Sequence, residues 1–71
     1  MPSQDQTTTQ PPIAFTIREF CEAHRISTAF YYDLRRGGLA PREMMIGARR
    51  VISAEAAADW RRAREQQTTA A

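Results

Sequence analysis

The sequence predicts a mostly α domain carrying one small β-hairpin, in the order helix, three-residue turn, helix, two-stranded hairpin, helix. Three observations predict it. Helix-capping residues, Thr16 and Ser27, stand where two apolar helical stripes begin. A glycine pair, Gly37 and Gly38, closes the second stripe. The run from Met44 to Ile52 divides into two short apolar segments around Gly47 and Ala48, the pattern of a tight hairpin.

Taken in order, positions 1–12 hold Ser, Gln, Thr, Asp and three prolines with no aliphatic residue after Met1. Such a segment buries too little surface to offset its ordering entropy, so a disordered tail is expected over 1–12. The ordered domain is expected over 13–65, with a second tail over 66–71. Thr16-Ile17-Arg18-Glu19 is a capping box, in which the Thr16 hydroxyl and Glu19 carboxylate each satisfy a free amide. Ile17, Phe20 and Cys21 then share one helical face that ends near His24. Arg25 and Ile26 turn the chain, Ile26 filling the gap between helices. Ser27 caps a second helix over Thr28 to Arg36, with Tyr31, Leu34 and the Arg35 stem inward. Leu39 is expected to pack on the core. In the hairpin, pairing of Ile46 with Arg49 sets Met44 opposite Val51 on the core side, with Met45, Arg50 and Ile52 on the other. Ser53 caps the last helix, whose inner stripe is Ala56, Ala57 and Trp60, extended by Ala63 or Arg64.

Composition narrows the function classes. The chain has 71 residues and one cysteine, so about 50 residues must form a core without an internal disulfide. Cys21 and His24 have no further Cys or His to complete a metal-ligand set, so zinc is not expected, and no cofactor is expected. Cys21 reads as a small buried apolar residue, and His24 as a favourable charge at a helix C-terminus. No apolar run approaches the length of a membrane span, and the start lacks the pattern of a signal peptide. The expected location is therefore cytoplasmic, in contact with nucleoid DNA. No nucleophile-base pair, metal set or glycine-rich phosphate loop points to an enzyme.

The formal net charge is only +2, yet every one of the ten basic residues is arginine. Arginine codon usage accounts for the count; the placement says more. Arg35 and Arg36 end the second helix, Arg49 and Arg50 adjoin the hairpin turn, and Arg61, Arg62 and Arg64 cluster on the third helix. A one-sided basic face of this kind suits nucleic acid. In a winged helix-turn-helix the second helix enters the major groove, and its exposed residues here are Ser27, Thr28, Ala29, Tyr32, Asp33 and Arg36. Thr28 and Ala29 suit thymine methyl groups, Arg36 a phosphate or guanine, and Tyr32 a phosphate. Arg49 and Arg50 would form the wing, reaching the neighbouring minor groove or its phosphates. Arg18, Arg35 and Arg61 are further candidate phosphate contacts. The plainer readings are a solvated amphipathic helix and a basic hairpin tip that blunts an edge strand. Phe30, beside Tyr31 and Tyr32, is expected in the core through a shifted register; otherwise it meets thymine methyls or a neighbouring protomer.

Phe15-Thr16-Ile17-x-Glu19-Phe20, Ile26-Ser27, Tyr32-x-Leu34, Gly38-x-x-Pro41, Ile46-Gly47-x-Arg49-Arg50-Val51 and Trp60 together resemble the excisionase family, more narrowly its AlpA-type group of MerR-like winged-helix domains. The resemblance spans about Phe15 to Arg64. It implies a recombination directionality factor that binds repeats in a mobile element's attachment site, bends the DNA and assists an integrase. A small transcriptional regulator with the same fold is the alternative. It also implies groove contacts at Thr28, Ala29, Tyr32 and Asp33 and wing contacts at Arg49 and Arg50. The family carries basic or polar residues where Thr28 and Asp33 stand, and a small polar one in place of Phe30. The expected partners are double-stranded DNA, neighbouring protomers on tandem sites and an integrase, with no membrane. A protein-interaction module using Phe30, Tyr32 and Met45 is a reading of another class.

Overall fold

The computed structural model describes residues 12–70, with side chains over 12–68. The expected N-terminal tail thus lies outside the described residues except for Pro12. Among the described residues, three helices and a three-stranded antiparallel sheet make a mixed α/β architecture. The elements are β1 (Ala14–Thr16), α1 (Ile17–His24), α2 (Thr28–Arg36), β2 (Met44–Ile46), β3 (Arg49–Ser53) and α3 (Ala54–Ala70). Sheet order is β1-β3-β2, so the expected two-stranded hairpin gains a third strand along its other edge. Ala14, Phe15 and Thr16 pair with Ser53, Ile52 and Val51, and the Ala54 amide continues the ladder to the Ile13 carbonyl at 2.7 Å.

Capping chemistry sets the helices. The Glu19 amide donates to Thr16 Oγ1 at 3.1 Å, and the Thr16 amide donates to Glu19 Oε1 at 3.0 Å. Helix α1 ends with Arg25 in the left-handed region at φ 62°, and the Ile26 amide reaches back to the Cys21 carbonyl at 3.0 Å. That closure usually employs glycine; here arginine adopts it, and Ile26 follows onto the core. At the end of α2 the left-handed residue is Gly38, φ 76°, and the Leu39 amide bonds to the Leu34 carbonyl at 2.8 Å. In the hairpin only Gly47 has positive φ, matching a type II′ turn. Ser53 Oγ accepts the Ala56 amide at 3.0 Å and starts α3.

The core is Phe20, Cys21, Tyr31, Ile52, Ala56 and Ala57, with Phe15, Ile17, Ile26, Ala40 and Trp60 packed around it. Phe20 is its hub: ring centroids of His24, Trp60, Tyr31 and Phe15 lie 4.1, 5.2, 5.8 and 6.4 Å away. His24 does more than face a helix dipole. Its Nδ1 donates to the Phe20 carbonyl at 2.8 Å, since a carbonyl only accepts, which leaves Nε2 to accept from Arg61 at 3.0 Å.

Several expectations are corrected. The hairpin register is as expected, Met44 opposite Val51 and Ile46 opposite Arg49, but its faces are inverted. Ile52 is fully buried and shares the core side with Phe15, while Met44 is 40 % exposed. Two adjacent apolar residues, Val51 and Ile52, carry no alternation to tell the faces apart. Leu39 is half exposed; Ala40, buried Pro41 and Trp60 occupy the core beside it, and only its carbonyl is used, accepting the Trp60 indole N–H at 2.7 Å. Phe30 is 50 % exposed rather than in the core, because Ser27 fixes a register that turns Tyr31 inward. Helix α3 continues to Ala70, so 66–70 is helical where a tail was expected.

Candidate nucleic-acid interface

Helix α2 presents its outward face without help from any other element. At about 100° per residue, Ala29 and Asp33 centre that face, with Phe30 on one flank and Tyr32 and Arg36 on the other. Thr28 and Ala29 are exposed. Ser27 is exposed too, but its hydroxyl oxygen accepts the Phe30 amide at 3.0 Å as the helix cap. Asp33 pairs with Arg36, both side chains lying largely in solvent. Tyr32 stands edge-on to Tyr31 at 5.5 Å, with the Arg35 guanidinium 5.8 Å from its ring centroid.

The helix is tied to the hairpin through one carboxylate. Glu43, only 11 % exposed at its side chain, accepts from the Tyr31 hydroxyl and from Arg50 Nη1 at 3.0 Å, and forms an ion pair with Arg35 Nε at 3.4 Å. One negative charge thus holds two arginines, leaving the group net positive. Burial first, and the Glu43 hydrogen bond second, push the Tyr31 phenol well above its usual range, so it remains a neutral donor. Arg50 accordingly folds back towards α2 instead of extending from the tip beside Arg49. Alternation along β3 puts the two arginines on opposite faces of the sheet.

Arg49 lies on the sheet face away from the core, with Ala14, Phe15, Thr16, Glu19, Ile46 and Val51 around an open hollow of about 370 Å³. Among the described residues, Arg49 and Arg25 have no ion-pair partner. The other expected phosphate contacts are engaged: Arg18 with Glu22 at 3.4 Å, Arg35 with Glu43, Arg61 with His24. Arg42 and Arg62 share Asp59, and Arg64 holds Gln67. These surface pairs are weak, about 0–1 kcal/mol each, so a phosphate can displace them.

Two residues of this surface escape sequence reasoning. Glu43 lies in the connector between α2 and β2, seven residues from Arg50 in a strand and twelve from Tyr31 in a helix, so no single helical or strand period links the three. Arg25 reads as an ordinary turn residue, and nothing in its neighbours signals a left-handed backbone. Cys21 plays no part; burial first, then the nearby Glu22 charge, raises its thiol. Among the described residues no helix is long and apolar enough to cross a membrane, and no group of three or more His, Cys, Asp or Glu could hold a metal ion. Comparison with protein-family models, with curated proteins and with solved structures finds no match to this chain.

Proposed function

We propose that this protein is a sequence-specific duplex-DNA-binding module of the winged helix-turn-helix kind, acting as an excisionase-type directionality factor without catalysis of its own. The observation that carries the reading is the outward face of α2, which contributes nothing to the core and ends in Arg35 and Arg36. Glu43 fixes the hairpin against that helix, so both would approach a duplex together. Ala29, Thr28, Tyr32 and Asp33 would face base edges in the major groove, while Arg36, Arg49 and Arg25 would meet phosphates. Arg50 and Arg35 would join them by exchanging Glu43 for phosphate. Arg18 and Arg61, held by weak exposed contacts, form the outer part of the same charge field.

A module this small covers little DNA, so one site would bind weakly and tandem protomers would supply the strength. That arrangement suits bending an attachment site for an integrase, with the protein acting at the nucleoid. A transcriptional regulator would use the same contacts. The half-exposed Phe30 and Met45, with Tyr32, favour a protein-interaction module as the reading of another class.

Fluorescence anisotropy on duplex DNA from upstream of its own gene, at low and physiological salt, decides between these. Four or five phosphate contacts predict a slope of about −4 in log affinity against log salt. Replacing both Arg49 and Arg50 by alanine should bring it to about −2. A flat titration at both salts rejects DNA binding and favours the protein partner.

A further inference from the structure

The outward face of α2 is poorly equipped to read bases by hydrogen bonds. Between Thr28 and Arg36 there is no Asn, Gln or Lys, the side chains that with arginine read adenine and guanine edges. Its one acid, Asp33, pairs with the exposed Arg36 and suits only the cytosine amine among the base edges. The Ser27 oxygen is taken by the helix cap. Beside the Tyr32 and Thr28 hydroxyls, the first turn offers an apolar pair: Ala29, and Phe30 with half its surface in water.

The Phe30 ring is held there by the register of the helix. Ser27 fixes where α2 begins, and full burial of Tyr31 then turns the preceding residue outward. An exposed ring next to a small residue, Ala29, makes a shallow apolar step on a surface otherwise bounded by Tyr32, Asp33 and Arg36. In the major groove the one apolar group that a base pair offers is the thymine C5-methyl. We infer that Phe30, with Ala29, selects thymine by contact with its C5-methyl group, so the preferred sites carry A·T pairs under the first turn of α2. This rests on the DNA-binding reading above and adds the chemistry of base choice.

The test uses the full chain and two short random-sequence duplex pools, one built with thymidine and one with deoxyuridine, which lacks only the methyl group. From the thymidine pool, selection should converge on A·T pairs. Rebuilding the selected duplex with deoxyuridine, one position at a time, should cost about fourfold in affinity at one or two positions, the factor for burying one methyl-sized group. Phe30→Ala should bind thymidine and deoxyuridine duplexes alike, and Phe30→Leu should keep part of the difference. Because Phe30 lies outside the core, circular dichroism of both variants should match the parent chain. Salt-dependent binding with no penalty for deoxyuridine at any position overturns the thymine contact and leaves DNA binding standing. A Phe30→Ala change that alters sedimentation but not the deoxyuridine penalty also overturns it, assigning the ring to a protomer contact. Absence of salt-dependent binding to either pool removes the DNA-binding reading and this inference with it.

Discussion

Glu43 decides how the two basic parts of the molecule relate. Its carboxylate is nearly enclosed, yet the arginines it holds keep about two-fifths of their side chains in water. Their attraction is therefore screened, and the charged hydrogen bonds are worth about 1–2 kcal/mol in stability. Replacing Glu43 with Ala should lower stability by that amount while raising affinity for DNA at low salt, because Arg35 and Arg50 become free for phosphate. The salt slope should stay at about −4, because the same arginines reach phosphate in both proteins and only the cost of displacing Glu43 is removed. An unchanged low-salt affinity, measured beside a lowered unfolding midpoint, would assign Glu43 a purely structural role. At this scale the sequence announces the arginines but not their partners. Arg49 and Arg50 are adjacent in the chain and read as one cationic tip, whereas strand alternation separates them and Glu43 captures one. The exposure of Phe30 is equally hidden, since three aromatic residues in a row leave the choice of inward ring to the position of the cap.

The elements themselves are legible wherever local chemistry sets their ends. Thr16 with Glu19, Ser27, Gly38, Gly47 and Ser53 each perform the capping or turning role their residue types suggest. Thr16→Ala should therefore cost about 1 kcal/mol, read as a fall of several degrees in thermal midpoint for a domain of this size. A midpoint within one degree of the parent would mean α1 is held by packing on Phe20 and not by its cap. Strand β1 is illegible for a physical reason: three residues are too short to show alternation, and its last residue is also the cap of α1. The same limit inverts the hairpin faces, since Val51 and Ile52 are adjacent and both buried. Leu39 shows the reverse case, an apolar residue left outside because the left-handed turn at Gly38 directs Ala40 and Pro41 inward. Polar composition over Gln66 to Ala70 suggests a tail, yet nothing in it breaks a helix already started, and Thr68 bonds back to the Arg64 carbonyl at 2.9 Å.

For the molecule as a whole, stability comes from one aromatic cluster around Phe20 with Cys21 and Tyr31 beside it. Both of those groups favour their protonated forms in the fold. The sign follows directly: a raised value stabilises the fold fully below the unfolded group's value and is lost as pH climbs through the folded one. The thermal midpoint should be insensitive to these groups up to the usual thiol value of 9.0, then fall, with Tyr31 adding to the loss beyond its usual 10.0. Circular dichroism melts in reducing buffer check this. Cys21→Ala should delay the onset of the fall to the range of Tyr31, and a midpoint level throughout the alkaline range would show that neither group is enclosed.

On the proposed function, α2 and the hairpin together form a surface for duplex DNA. Amide chemical-shift mapping during titration with a duplex tests it most directly, because every described residue except proline reports on its own surroundings. Shifts should concentrate over Thr28 to Arg36 and Ile46 to Arg50, with Arg25 among them and the Asp59 side of α3 quiet. Shifts centred on α3, or none at DNA concentrations well above the protein, would contradict it.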